Sequence, residues 1–307
     1  MIEVSKLSKH FSEHLAVNNL SFTIQPGEVI GFLGPNGAGK STTMKMLTGF
    51  LAPSAGSVKI HGFDIAKQRI SAQRVLGYLP EGAPCYGEMT VLDFLLFIGK
   101  VRGYHGKELQ ERVKRVIDLL ELGRVIGQSI DTLSKGFNRR VGLAQAVMHE
   151  PKVLILDEPT DGLDPNQKHQ VRQLIKALAK DRIVIISTHI LEEVSALCTR
   201  VLLIAHGELI VDETPHQLSQ RSKYHQAVTL YSEDALDQAA LKALPGVQSL
   251  EENSRDGSLT LIPEPGAVLF PVVNALIQQR GWQVQEVAVE SGRLDEVFRR
   301  LTRGESA

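Results

Sequence analysis

The chain has 307 residues, with 34 Lys and Arg against 35 Asp and Glu; at roughly 150 residues per domain, that length predicts about two domains. Its 43% hydrophobic and 22% charged residues are those of a soluble globular protein that can bury a core without staples, and the formal charge of −1 disfavours a nucleic-acid binder held mainly by phosphate contacts. The two cysteines, Cys85 and Cys198, exclude a disulfide framework or a cysteine metal cluster and suit a reducing cytoplasm.

The N-terminus, MIEVSKLSKHF, lacks the apolar stretch of a signal peptide. The longest strongly apolar runs, such as 94–98 and 201–205, fall far short of the ~18 residues a spanning helix needs. Any work at a membrane is therefore expected to go through a partner. The first two thirds of the chain alternate strand-like and helix-like patterns, which predicts a mainly parallel sheet covered by helices. Residues 2–7 and 20–24 are expected strands ahead of a Pro26-Gly27 turn, and 29–33 is a nearly all-apolar run, the pattern of a strand buried on both faces.

Gly34-Pro35-Asn36-Gly37-Ala38-Gly39-Lys40-Ser41 follows that strand and precedes an expected helix, and it matches G-x-x-x-x-G-K-S/T. A triphosphate needs several backbone N–H groups converging on it, and a Cβ would block that approach, so glycines fit. The positive end of the next helix faces the anion. Lys40 is placed to reach the β and γ phosphates, the Ser41 hydroxyl to bind Mg²⁺, and Thr42 to add contacts near the inner phosphates.

Residues 107–122 place Leu109, Val113, Val116, Ile117 and Leu120 on one helix face. Residues 153–156 form a second all-apolar strand that ends in Asp157 and Glu158, at the sheet edge where ligands bind in such folds. Asp157 would hold Mg²⁺ directly or through water. Glu158 is placed to orient and polarise an attacking water, since phosphoryl transfer depends on positioning and charge neutralisation. Residues 183–186 repeat the buried-strand pattern, and 201–204, a His206-Gly207 turn and 208–211 predict a closing hairpin.

Composition changes near residue 220. Residues 221–307 carry nine basic and twelve acidic side chains, a net charge of −3. Strand-like pieces at 227–231, 247–250, 258–262 and 282–289 alternate with helix-like pieces at 233–243 and about 271–280. A last helix at 293–303 sets Leu294, Val297, Phe298 and Leu301 on one side. This predicts a small α+β domain of split βαβ type. No internal repeat or low-complexity segment stands out.

On these motifs and their order, residues 1 to about 220 resemble the nucleotide-binding subunits of ATP-binding cassette (ABC) transporters. Leu133-Ser134-Lys135-Gly136-Phe137 stands where that family carries its LSGGQ signature, which in one subunit caps the γ-phosphate held by the phosphate loop of another. Ser134 and Gly136 open an expected helix running through about 148, and helix N-termini attract anions. On its own residues, Ser134 also reads as an ordinary N-cap. Asp161-Gly162-Leu163-Asp164 resembles the family's D-loop at the dimer seam, and Asp164 ahead of Pro165 equally suits a helix cap. His189, in Ser187-Thr188-His189, is similar to the switch histidine that contacts the γ-phosphate. Phe11 stands where the family stacks an aromatic on adenine; a core phenylalanine beside a strand is the alternative.

Two departures from the family pattern stand out. Glu81, in Gly77-Tyr78-Leu79-Pro80-Glu81, replaces the glutamine that touches Mg²⁺ and the water; a carboxylate still ligates the metal through oxygen but adds charge beside a polyanion. Lys135 and Phe137 replace the signature's glycine and glutamine. Both variations, and the ending Arg293-Leu294-Asp295-Glu296-Val297-Phe298, resemble ABC subunits paired with small two-module exporters.

The resemblance implies a P-loop NTPase core of α/β class spanning residues 1–220, with a helical subdomain at about 85–150, followed by a C-terminal accessory α+β domain at 221–307. It implies an ATPase using ATP and Mg²⁺, with Lys40, Glu158 and His189 as catalytic residues, acting as a homodimer that drives export through a separate transmembrane permease. Its expected location is cytoplasmic, peripheral at the inner face of the cell membrane, with no nucleic acid as partner. The family docks its permease between the Glu81 loop and the helical subdomain, where residues 82–105 carry Tyr86, Met89, Val91, Leu92, Phe94, Leu95, Leu96, Phe97 and Ile98. Most of these are expected in the subdomain's own core, with Tyr86 and Met89 at the contact, and Cys85 and Cys198 as small apolar packers. The alternatives are an importer ATPase and a soluble ABC ATPase acting on nucleic acid or ribosomes; one cassette and an acidic tail count against the latter. The tail could also join two subunits or sense a ligand.

Overall fold

The computed structural model describes residues 1–82 and 85–303. Ala83 and Pro84, inside the segment expected to meet a permease, lie outside the described residues. The chain divides into two units, 1–214 and 215–307.

The first unit opens with the antiparallel pair β1 (Ile2–Phe11) and β2 (His14–Ile24). β3 (Val29–Leu33) and α1 (Lys40–Leu47) follow. β4 (Ala55–Ile60) and β5 (Phe63–Asp64) complete a four-stranded antiparallel sheet of order β2-β1-β4-β5. This second sheet was not foreseen: β4 is exposed along its first half and alternates only over its last three residues. After α2 (Arg69–Arg74) and β6 (Leu76–Leu79) come α3 (Val91–Val101), α4 (Gly106–Leu119) and α5 (Lys135–Val147). The chain then returns through β7 (Val153–Asp157), α6 (Pro165–Leu178), β8 (Ile183–Thr188), α7 (Leu191–Leu197) and the hairpin of β9 (Arg200–Ala205) and β10 (Glu208–Glu213).

The main sheet has order β10-β9-β3-β8-β7-β6, parallel except for the edge strand β10. Its central strands are buried on both faces, as their unbroken apolar runs require. Alternate residues of one strand enter two different cores, because successive strand side chains point to opposite faces. Leu154, Leu156, Val184 and Ile186 join the core shared with the helices α3 to α5. Val153, Ile155, Ile183 and Ile185 join the core shared with β1, β2 and α1. Because β3, β8, β7 and β6 run parallel, their C-terminal ends meet on one edge of the sheet. That edge is where α/β sheets bind ligands.

The helical segment behaves as expected in outline. Val91, Phe94 and Leu95 are buried in the subdomain core, and Met89, expected at a contact, packs against that core as well. Tyr86 is exposed, with its ring edge-on to Phe97. It borders an apolar groove of about 630 Å³ that also includes Phe50, Tyr78, Phe94, Ile98 and Val101. Cys85 and Cys198 both pack against the subdomain core.

The second unit begins at Pro215, one helix ahead of the composition change near 220. That helix, α8 (Pro215–Gln220), buries Leu218. β11 (Val228–Tyr231), α9 (Gln238–Lys242), β12 (Val247–Glu252), β13 (Leu259–Pro263), α10 (Phe270–Arg280) and β14 (Glu286–Val289) give a βαββαβ order, with the antiparallel sheet β12-β13-β11-β14. This is the split βαβ arrangement. Val228, Leu230, Leu259 and Leu261 from the sheet meet Leu241 and Val273 from the helices in its core. Two elements are shorter than their patterns suggested. α9 starts only after Asp237, whose carboxylate accepts from Ala240 N at 3.0 Å as an N-cap. The strand expected from 282 begins at Glu286, because α10 ends in left-handed Gly281 and the chain must turn back first. α11 (Leu294–Arg303) buries Val297, and Arg293 just before it lies 3.8 Å over the Tyr224 ring and bonds Glu290.

Candidate functional site

The loop from β3 to α1 lies at the ligand edge of the main sheet. It borders a cavity of about 520 Å³ together with Phe11, His14 and Ala16 from the antiparallel sheet and Glu81, Glu158 and His189 from the ends of the parallel strands. Asn36, Gly37, Gly39, Lys40, Ser41 and Thr42 form its floor. Elements far apart in sequence thus converge on one pocket.

The glycines of the loop do two different things. At Gly34 and Gly39 a Cβ would meet the chain's own backbone, 2.3 Å from Ile204 O and 2.5 Å from Ala16 O. Gly39 also has φ +101, which L side chains rarely adopt. At Gly37 a Cβ would meet nothing within 4 Å. Two of the glycines therefore let the loop press against its own scaffold, a purpose the motif alone did not reveal. Pro35 and Ala38 complete the turn, with Ala38 N donating to Pro35 O at 3.2 Å.

Lys40 is 7% exposed. Its Nζ donates to Gly34 O at 2.7 Å and Pro35 O at 3.1 Å, which holds the ammonium inside the loop. Burial lowers its pKa, and the nearby carboxylates of Glu158, Asp157 and Glu81 pull the other way. An ammonium set among three carboxylates and a ring of backbone amides suits a multiply charged anion accompanied by a cation.

Asp157 ends β7 and is 2% exposed. Burial pushes its pKa up, opposed by the Ser187 and Ser41 hydroxyls and the Lys40 charge. Its Oδ1 is buried with no hydrogen-bond partner within the protein. A buried carboxylate oxygen left unpaired is costly unless something completes it. Together with the Ser41 hydroxyl beside it, this donor set is all oxygen, which fits Mg²⁺.

Glu158 has φ +48, a left-handed conformation that is strained for a glutamate. The parallel register of β7 and β8 holds it there, since Glu158 N donates to Ser187 O at 2.9 Å. The resulting turn aims the side chain at the pocket. Its Oε1 lies 2.9 Å from His189 Nδ1, a contact in which the imidazole N–H donates and the carboxylate oxygen accepts. The His189 backbone is fixed from below: Thr188 Oγ1 donates to Glu193 Oε2 at 2.8 Å and accepts from Ile190 N at 3.0 Å. Carboxylate and imidazole so arranged can orient and polarise a water molecule.

Phe11 is 47% exposed on the rim of the cavity, which removes the core alternative. Lys9 Nζ sits 5.3 Å from the centre of its ring. Glu81 lines the cavity as expected, and Thr42 lies on its floor. Ser134, Gly136 and Asp164 are not among the residues lining this pocket. Ser134 caps α5, with Phe137 N donating to its hydroxyl at 3.4 Å, and Asp164 caps α6, with Gln167 N donating at 2.9 Å. Both cap readings therefore hold. Gly136 packs on Gln167, where a Cβ would fall 2.6 Å from the amide. Residues 133–137 and 161–164 also meet, since a Cβ at Gly162 would fall 3.2 Å from Lys135 Cδ. Sequence reasoning missed His14 and Ala16, which reach the cavity through the same hairpin as Phe11, and Arg139, which bonds the backbone on both sides of Glu158. The first two were open to inference from their distance to Phe11 in a hairpin; Arg139 has no motif of its own.

The family model described as ABC transporter matches residues 17–161. The Nod factor export ATP-binding protein I of Rhizobium sp. (strain N33) is 31% identical over 302 residues, covering 98% of this chain and 96% of that protein. An uncharacterized ABC transporter ATP-binding protein of Bacillus subtilis (strain 168) is 35% identical over 223 residues, 73% of this chain and 74% of its own length. Among solved structures, an ATP-binding subunit of an ABC transporter superposes with a TM-score of 0.66 at 28% identity, covering 72% of this chain and 92% of that one. A dimeric ATP-binding cassette bound to ADP and Pi shares the fold at 24% identity, with a TM-score of 0.65 over 70% of this chain and 99% of that one.

Proposed function

This chain belongs to the ABC transporter ATP-binding family, and from that premise we propose that it hydrolyses ATP to drive substrate export through a separate membrane permease. The observation that carries the direction of transport is the end-to-end match to a Nod factor export protein, which extends through the C-terminal unit as well as the cassette. No helix among the described residues is long and apolar enough to cross a membrane, and in this reading a separate permease supplies the transport path.

In this reading ATP stacks its adenine on Phe11 and lays its phosphates across the backbone N–H groups of residues 36–41, with Thr42 beside the inner phosphates. Lys40 turns its ammonium from the Gly34 and Pro35 carbonyls toward the β and γ phosphates. Asp157, Ser41 and Glu81 would hold Mg²⁺, which would neutralise charge on the phosphates. Glu158 orients and polarises the water that attacks the γ-phosphorus, and His189 holds that carboxylate and contacts the γ-phosphate. The P–O bond to ADP breaks as the new bond to water forms, giving ADP and inorganic phosphate.

Two copies act together. Ser134 and Gly136 of one copy close on the γ-phosphate held by the other, with Asp164 at the seam. A dimeric cassette of the same fold supports two copies acting as a pair. Closure moves the Glu81 loop and, with it, a permease helix seated in the apolar groove beside Tyr86. An amphipathic helix is the usual occupant of such a groove. The chain then works from the cytoplasmic side, peripheral to the membrane. The test is purification of the tagged chain from detergent-solubilised membranes. We expect one multi-spanning membrane protein to co-purify in stoichiometric amount, and to be lost on Tyr86→Asp. Recovery with a periplasmic binding protein would point to import, and recovery of ribosomes or nucleic acid would defeat the transporter reading.

A further inference from the structure

Arg139 lies on α5, five residues beyond the cap Ser134, and is only 5% exposed. Burying a guanidinium is costly unless its donors are satisfied. Here they meet three backbone carbonyls: Nε donates to Pro159 O at 3.2 Å, one terminal nitrogen to Asp157 O at 3.0 Å and the other to Pro80 O at 3.4 Å. Pro159 and Asp157 flank Glu158 in the chain, and Pro80 precedes Glu81. One side chain on the signature helix therefore grips both loops that carry the pocket's outer carboxylates.

The grip falls where support is needed. Glu158 holds a left-handed backbone conformation that persists only when its surroundings enforce it. The charge also falls where it is needed. Asp161, Asp157, Glu158 and Glu81 all act on Arg139 as nearby negative charges. Lys40 is the other buried cation facing Glu158, Asp157 and Glu81. Glu81 is one carboxylate more than the family pattern, with its glutamine, would bring to this cluster. Among cationic side chains, the planar fork of arginine can serve three carbonyls at once, which the single nitrogen of lysine cannot do in the same geometry.

We propose that Arg139 is a positioning residue: through three carbonyls it fixes the loops bearing Glu158 and Glu81, and its charge offsets the extra carboxylate at Glu81. It is not among the residues lining the cavity and acts through those two residues. The inference rests on the reading of this pocket as an ATP hydrolysis site.

The experiment compares the full-length parent with Arg139→Gln, Arg139→Lys, Glu81→Gln and the double variants Arg139→Gln/Glu81→Gln and Arg139→Lys/Glu81→Gln. Three quantities are read: kcat for MgATP, the Kd of a fluorescent ADP in EDTA, and the melting temperature. Arg139→Gln is expected to lower kcat roughly 10- to 100-fold, the scale of a misplaced catalytic group. Its Kd for ADP without metal is expected to stay within about twofold of the parent, since the phosphate loop is not touched. Adding Glu81→Gln should restore roughly tenfold of the lost kcat, the size of coupling expected between neighbouring charges. Arg139→Lys keeps the charge and loses the fork, so it should be impaired but gain nothing from Glu81→Gln. The proposal is overturned if Arg139→Gln turns over like the parent, or if Glu81→Gln brings no recovery. A fall in melting temperature with matching loss of ADP binding would also overturn it, because the role would then be structural alone. Failure of the underlying reading looks different: the parent itself would release no phosphate.

Discussion

Glu158→Gln is expected to keep nucleotide binding and to lose turnover by roughly 10²–10⁴-fold, the contribution of a positioned general base. The backbone at Glu158 is held by the Ser187 carbonyl and by the carbonyls on either side of it, none of which depends on the side-chain charge. A glutamine of the same shape should therefore occupy the same place. What changes is the ability to polarise water and one negative charge next to the triphosphate. Fewer negative charges favour the anion, so ATP affinity should hold or rise. With hydrolysis blocked and ATP bound, the reading of two copies closing on each other's nucleotide predicts that this variant runs as a dimer in MgATP and as a monomer in ADP. Light scattering on the eluting peak checks the association and phosphate release checks the turnover. Turnover equal to the parent's would remove Glu158 from the role.

Lys40→Ala is expected to weaken ATP binding by roughly 10- to 100-fold. Hydrogen bonds to charged groups contribute about 1.5–3 kcal/mol, and 1.4 kcal/mol is a factor of ten in affinity. The structure gives a second reason for a large effect. Lys40 is the cation of the phosphate loop, and the carboxylates of Glu158, Asp157 and Glu81 all bear on it. Removing it leaves those charges facing a polyanion. The loop itself should survive, because its tight turn depends on Gly34 and Gly39 meeting the backbone at Ile204 and Ala16. Calorimetric titration with ATP, alongside a melting curve to confirm that the variant is folded, measures the change. An unchanged Kd in a folded variant would contradict the phosphate-loop reading.

How much of this was legible in the sequence depends on where the physical cause resides. The strands around 29–33, 153–156 and 183–186 are buried on both faces, so their character is written in an unbroken apolar run. The phosphate loop is legible because an anion cradle demands glycines and a lysine at fixed spacing. β4 was missed because it begins Ala-Gly-Ser and stays exposed until Val58, leaving an alternation of only three residues, too short to detect. The role of Glu158 could be expected from its place after a strand. Its left-handed backbone could not, since the conformation comes from pairing with a strand some thirty residues away. Met89 shows the limit of reading an apolar segment: composition alone did not separate the side chain that packs inward from Tyr86, which stays exposed. Arg139 reads as an ordinary helix residue until the fold brings Pro80, Asp157 and Pro159 to it.

The most direct measurement is steady release of inorganic phosphate from MgATP by the purified full-length chain, with Glu158→Gln purified in parallel as the blank for contaminating activity. The account predicts equimolar ADP and phosphate from the parent, stopped by chelating the metal and reduced to background in the blank. Parent and Glu158→Gln releasing phosphate at the same rate, or neither releasing any while ATP remains bound, would contradict it.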